Sequence, residues 1–340
     1  LIEDSGSVGP ATGWQAAPLL VEDAAGVLLA AAPAYLKSHS QGEYVFDHGW
    51  ADAWARAGGD YYPKLQIAAP FTPVPGPRLL AHSDEEAALL IRAAEAVVRQ
   101  NGLSSAHATF VAPEQMPLFE SAGWLVRRDI QFHFANADYA SFDDFLATLT
   151  SAKRKQLRKE REQVAGQGIE FEWCEGRQLS EPEWDFVYAC YANTYHVRGR
   201  QPYLTRSFFS LLAERLPETI RVVLARQRGR AVAMAFSLQA GDTLYGRYWG
   251  CLGDFDRLHF ETCFYQGIDY AIGQGLQRFD AGAQGEHKLI RGFEPVITRS
   301  WHYLCHPGLR AAVADFLQDE RRGVQGYAED ARGLLPYRQG

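Results

Sequence analysis

The stretch TIRVVLARQRGRAVAMAFSLQAGDTLYGRYWG, residues 219–250, reads as three strands in a row. Thr219 to Gln227, Ala231 to Gln239 and Thr243 to Gly250 are rich in β-branched and aromatic residues, and the turns at Arg228 to Arg230 and Gly241-Asp242 separate them. An antiparallel meander is the expectation. Downstream, a helix is predicted from about His259 to Ile272, stopped by Gly273 and Gly275. Leu276 to Asp280 is then a strand, Glu286 to Arg291 a short helical turn, and Val296 to Cys305 the next strand. Upstream, Ser141 with Asp144 caps a helix predicted to run to about Ala165, after which Ile169, Phe171 and Trp173 alternate. Ser180 with Glu183 opens another helix.

The first half repeats this order. A hairpin turns at Asp23 to Gly26, and Ser83 with Glu86 caps an amphipathic helix ending at Asn101-Gly102. A strand from Ala106 to Val111, a Pro-started helix, Gly123-Trp124 and a strand alternating Ile130, Phe132 and Phe134 complete it. The markers Gly26, Gly102 and Gly123 are spaced by 76 and 21, and Gly229, Gly275 and Gly292 by 46 and 17. The excess of 30 falls in an irregular stretch from about Ser38 to Pro77, crowded with aromatic, His, Asp and Pro residues. The fold class expected is α/β (α+β), two tandem units each with a mixed, mostly antiparallel sheet flanked by helices. The predicted domains are 1–138, with a loop-rich insertion at about 37–78, and 139–340. A pocket is expected where they meet.

At 340 residues, with 47% hydrophobic and 22% charged, the chain has the composition of a globular protein, which excludes a largely disordered or fibrous one. A net charge of -7 argues against stable DNA binding, so any polyanion must meet a local basic patch. The five cysteines are an odd number without a C-x-x-C pair, as expected of a reduced compartment. The opening LIEDSGSVGP lacks the layout of a signal peptide, and no apolar run is of membrane-spanning length, so a cytoplasmic location is the expectation.

The 34 basic residues comprise 28 Arg and six Lys, so a position that keeps Lys is a candidate for needing a compact ammonium. Six of the nine residues from Lys153 to Arg161 are basic. On a helical wheel Arg154, Lys155, Arg158, Lys159 and Arg161 share one side, while Lys153 projects along the apolar side toward the expected cleft. The run GAQGEHKLIRGFEP, Gly282–Pro295, follows a strand and brings out Glu286, His287, Lys288 and Arg291 within about one and a half helical turns. Lys288 and Arg291, at i and i+3, are predicted to share one anion, and His287 to shuttle a proton. In the segment Arg247 to Gln266, Glu261 is the general-base candidate, Tyr265 shares its face, and Arg247 and His259 are binding candidates. The insertion contributes Asp47, His48 and Lys64 to the same expected pocket. His302, Cys305 and His306 do not share a strand face, so no metal site is predicted. No G-x-S-x-G, Walker loop or dinucleotide fingerprint is present.

The segments YLKSHSQGEYVFDHGWADAWARAGGDYYPKLQIAAPFTPVPGPRLL, SAKRKQLRKER, HFETCFYQGI and GAQGEHKLIRGFEPVITRSWH resemble the FemAB-like N-acyltransferases of bacteria, tandem-domain relatives of the GNAT acyltransferases. The resemblance runs along essentially the whole chain. It implies two GNAT-type domains, an acyl or aminoacyl group passed to an amine and, by analogy with relatives that use charged tRNA, a peptidoglycan precursor as acceptor. The donor stays open between aminoacyl-tRNA and acyl-CoA. Neither PVPGPRLLA nor GCLGDFDRL matches the pyrophosphate-cradling Q/R-x-x-G-x-G/A of ordinary GNAT domains, and no inserted helical hairpin for tRNA is visible. No cofactor is certain. On this reading Glu261 or Glu286 is the base, Lys288 with backbone amides stabilises the oxyanion, and Arg154, Arg158 and Arg291 clamp phosphate. Two other classes compete: a non-catalytic binder of an anionic ligand on the same fold, and a nucleic-acid module, against which the overall acidity counts.

Overall fold

The structure is a computed structural model describing residues 1–283 and 285–338, so Gln284, inside the GAQGEHK run, lies outside the described residues. It is mixed α/β, and it divides into two compact units whose boundaries are not sequential. One comprises Ile2–Ile130 with Ile297–Tyr327; the other comprises Gln131–Val296 with the chain from Ala328 onward.

In the first unit the sheet order is Trp14–Ala16, Ala34–Lys37, Lys64–Ile67, Ser105–Ala108 and the end of Glu294–Leu304. Lys64–Ile67 and Ser105–Ala108 run parallel, and the other neighbours pair antiparallel. The helix Asp84–Gln100 begins at Ser83, whose side chain accepts from the Glu86 amide, and buries Leu90, Ile91, Ala94 and Val98 against this sheet. A second sheet joins Leu19–Glu22, Leu28–Ala32 and Leu80–Ala81. The insertion is more ordered than its irregular sequence predicts. It contains a helix, His48–Arg56, and the strand Lys64–Ile67, all four residues of which are buried. The polar/apolar alternation of Lys64, Leu65, Gln66 and Ile67 would read as one wet face, but both faces of the strand are covered and its polar side chains point inward.

In the second unit the meander is formed by Ile220–Gln227, Arg230–Ala240 and Thr243–Cys251, flanked on one edge by Ile169–Glu175. On the other edge Arg278–Asp280 runs parallel to Thr243–Cys251 and antiparallel to the end of Leu125–Ala135. The helix expected from Ser141 to about Ala165 is two helices, Phe142–Thr148 and Ser151–Ala165. Leu149 between them is extended, bridges Tyr337, and leaves the Thr150 amide to bond the Pro336 carbonyl. The break resets the helical phase, so the second helix buries Leu157, Glu160 and Val164. Helices Arg206–Arg215 and Pro307–Gly333 have no counterpart in the sequence reading.

Each half contains a strand, a helix and a parallel strand, which is the repeated motif. The strand that closes each sheet comes from the other half of the sequence. The end of Leu125–Ala135 pairs with Arg278–Asp280, and the end of Glu294–Leu304 pairs with Ser105–Ala108. A domain boundary at 138/139 therefore does not match the compact units. Expressed as separate fragments, 1–138 lacks the strand that pairs with Ser105–Ala108, and 139–340 lacks the one that pairs with Arg278–Asp280. Neither fragment alone is expected to show the cooperative thermal transition of the intact chain in circular dichroism.

Candidate functional site

Among the described residues a cavity of about 300 Å³ lies within the unit built on Gln131–Val296. Its walls come from the meander (Ser237, Arg247, Tyr248, Trp249), from Trp173 and Arg198, and from the helical segment that holds His259, Thr262 and Cys263. His287 and Lys288 of the GEHK turn complete it. No Asp or Glu side chain is among the described lining residues, whereas Arg198, Arg247 and Lys288 are cationic. With aromatic walls of low dielectric, such a site favours an anionic ligand carrying an apolar or planar portion.

Lys288 sits in a 3₁₀ turn, Glu286–Arg291, set between Gly285 and Gly292. Both glycines have positive φ, of 118° and 84°, which a side chain rarely tolerates. The Lys288 ammonium is buried and donates to the Gly282 carbonyl. Burial pulls its pKa down to about 8, only partly opposed by the Asp280 carboxylate. His259 and His287 face each other with ring centroids 6.0 Å apart. Burial lowers the His259 pKa to about 4 and also depresses that of the more exposed His287, with the Arg291 and Lys288 charges adding to the latter. Both imidazoles are thus neutral at pH 7. Burial raises the Cys263 thiol well above its ordinary pKa, so it remains protonated and is a poor nucleophile.

Of the residues singled out from sequence, Arg247, His259, His287 and Lys288 come together around this cavity. Glu261 and Tyr265 do not line it. The helical segment runs through Leu258–Phe260, a π-turn at Glu261–Tyr265, and Gln266–Gly273, and it turns Thr262 and Cys263 to the cavity. Glu261 is buried instead in an ion pair with Arg161 at 3.0 Å and accepts from Gln266 Nε2 at 2.9 Å. Burial raises its carboxyl pKa. Glu286 is exposed. Arg291, expected to share an anion with Lys288, is only 1% exposed, and its guanidinium is taken up by Glu160, Tyr265 and the His287 carbonyl. On the basic helix Arg158 pairs at the surface with Asp143 at 2.8 Å, while Lys153 and Arg154 are partly exposed; none of the three lines the cavity.

The insertion residues belong to the first unit. Lys64 is fully buried and donates to Asp47 at 2.6 Å, Glu43 at 2.7 Å and the Ser40 hydroxyl at 2.9 Å. Burial alone would raise the Asp47 pKa, but the Lys64 ammonium beside it wins and holds the carboxyl far below its usual range. Tyr61 also donates to Asp47, and His107 and His302 meet through their Nδ1 atoms at 2.6 Å. This is an internal charge cluster. His48 is exposed at the start of its helix and stacks on Phe46. The sequence reading passed over Trp173 and Arg198. For Arg198 the available signal was a basic residue beside a glycine just past the helix Glu181–His196.

The fold and cavity define a class: a two-unit α/β protein with a cationic, aromatic-walled site at the edge of a meander. The chain belongs to the FemAB-like family, described as peptidoglycan biosynthesis/recognition, whose model matches residues 1–339. Among solved structures it is similar to L-PGS from Bacillus licheniformis, with 12% identity, a TM-score of 0.54, and coverage of 93% of this chain and 94% of that one. It is also similar to FemX, with 11% identity, a TM-score of 0.53, and coverage of 92% and 94%. At these identities the likeness is one of fold. No curated protein matches the sequence. No described helix is long and apolar enough to cross a membrane.

Two stability predictions follow from the internal cluster. Lys64→Met leaves Asp47 buried without its lysine and Glu43 with only Lys37 at 3.5 Å, and should cost about 3–5 kcal/mol in urea unfolding. Burial lowers the His107 pKa to about 3, so its contribution is intact above its unfolded pKa of ~6.5 and is lost as pH falls toward the folded value. Between pH 7 and pH 5 this one histidine should remove about 2 kcal/mol, and His107→Asn should flatten that part of the stability–pH curve.

Proposed function

We propose that this acyltransferase of the FemAB-like family moves an acyl or aminoacyl group from a carrier-linked donor to an amine, with a peptidoglycan precursor as the acceptor class. The observation that carries the reading is the cavity bearing Arg198, Arg247 and Lys288 and, among the described residues, lined by no carboxylate. Both donor carriers considered from sequence, charged tRNA and coenzyme A, are polyanions, and both are found in the cytoplasm, where this reading puts the reaction.

Acyl transfer requires a neutral amine, a polarised carbonyl and a destination for one proton. The amine nitrogen attacks the acyl carbon, a tetrahedral oxyanion forms, the amine proton leaves, and the bond to the carrier breaks as the carbonyl re-forms. Lys288, buried beside the cavity, supplies positive charge to the oxyanion in a low-dielectric setting. His287, neutral and the more solvent-facing of the two imidazoles, takes the proton from the amine and gives it to the carrier's oxygen or sulfur as that bond breaks. Arg198 and Arg247 hold the anionic group of the substrate. Glu261 has no role in this scheme because Arg161 already occupies its carboxylate.

The test is to incubate the protein with aminoacyl-tRNA or acyl-CoA and a nucleotide-linked muramyl peptide, and to look by mass spectrometry for the acylated peptide. Lys288→Ala should lower kcat about 10²–10³-fold, the usual range for loss of one oxyanion donor. Since the charged form of Lys288 is the useful one, kcat should fall as pH rises through about 8, and Lys288→Arg should remove that alkaline limb. A rate that climbs through the same pH would make Lys288 the base instead. Retention of donor without product would favour the binding-only reading.

A further inference from the structure

We propose that Glu160 and Arg291 are positioning residues that clamp the GEHK turn and thereby aim Lys288 into the cavity; this rests on the role given to Lys288 above. The turn's own backbone bonds, from the Lys288 amide to the Gly285 carbonyl and from the Gly292 amide to the Leu289 carbonyl, hold it only locally. A six-residue 3₁₀ turn exceeds the usual length of such segments, and both of its ends are glycines in the left-handed half of backbone space, where the chain pivots freely. Its fixity comes from the side chain of its last residue. Arg291 reaches back to donate to the His287 carbonyl at 2.8 Å, tying the end of the turn to its beginning. The same guanidinium donates to Tyr265 Oη at 3.0 Å and lies 3.7 Å from the Phe260 ring centroid, joining the turn to the cavity-lining helical segment.

Glu160 anchors this assembly from the basic helix. It accepts from Arg291 at 2.8 Å, from Arg257 at 3.2 Å and from Gln156 at 3.1 Å, and the Tyr265 hydroxyl donates to it. With Glu160 at 3% and Arg291 at 1% exposure, no phosphate reaches this arginine, and the pair holds its geometry without competition from water. Lys288 lies between the two tied points, so the direction of its side chain is inherited from them.

Competitive acetylation of the intact protein with trace acetic anhydride, read by peptide mass spectrometry across neutral to alkaline pH, reports the titration of Lys288 without needing a substrate. The wild-type midpoint is expected near 8. In Glu160→Gln the loosened turn lets water reach the ammonium, and the midpoint should move up toward the ordinary ~10.4 with faster labelling. Simple loss of a nearby carboxylate would shift it the other way, so the sign is diagnostic. Tyr265→Phe, which removes the hydroxyl's two bonds to Glu160 and Arg291 but keeps their direct ion pair and the ring packing, should shift it in the same direction by less and serves if Glu160→Gln does not fold. Arg161→Gln, breaking the neighbouring pair with Glu261, should lower the melting temperature and leave the Lys288 midpoint in place. The proposal is overturned if folded Glu160→Gln and Tyr265→Phe both keep the wild-type midpoint, or if Arg161→Gln moves it equally. A wild-type Lys288 that titrates as a free lysine would instead overturn the reading of the site, and the clamp with it.

Discussion

A carboxylate from one helix and a guanidinium from a glycine-bounded turn, both withdrawn from water, organise the cavity. Glu160 and Arg291 would each be costly to bury alone, and their mutual attraction, shared with Tyr265, offsets that cost only in one geometry. A hydrophobic contact would tolerate sliding; a buried, hydrogen-bonded ion pair does not. The neighbouring pair of Arg161 with Glu261 binds the same helix to the same helical segment. The described residues of that segment that face the cavity are His259, Thr262, Cys263, Phe264 and Gly267.

The chain uses buried charge in two distinct ways. Around Lys288 the cation is under-compensated: burial outweighs the help of Asp280, and the pKa comes down to about 8. Around Lys64 two carboxylates compensate the cation, and burial is outweighed so that its pKa rises. The first arrangement leaves an ammonium that gives up its proton more easily, the second one that holds it more firmly. Both lysines belong to the six that an arginine-rich composition retains. A compact ammonium suits both places, since a planar guanidinium would not fit three acceptors gathered around one point as Ser40, Glu43 and Asp47 gather around Lys64.

Much of the architecture was legible in the order of residues. The meander, the capped helix from Ser83, the helix after Arg257 and the GEHK turn all carry local signals, namely alternation, caps and glycine stops, that act within a few residues and survive without tertiary context. Four cationic and imidazole members of the cavity, Arg247, His259, His287 and Lys288, were legible because they lie in two short charge-bearing runs; Arg198, isolated in sequence from both, was not. Glu261 misled because helical spacing reports a face and not what covers it. The π-turn through Glu261–Tyr265 and the arginine at position 161 redirect that face, and neither leaves a trace in the residue pattern.

Sequence order alone established two similar α/β halves and the density of charge in the second, because secondary-structure periodicity and turn chemistry are local properties. Three matters waited for the folded chain. The exchange of closing strands between halves is a long-range pairing, free of any short-range cue. The inward placement of Lys64 follows from a strand covered on both faces, where polar alternation no longer marks a wet side, and Asp47 follows Lys64 inward from a helix start distant in sequence. The division of labour between Lys288, which meets the cavity, and Arg291, which meets Glu160, turns on a partner 131 residues away, and electrostatic pairing at that separation is set by packing and by nothing the neighbouring residues encode.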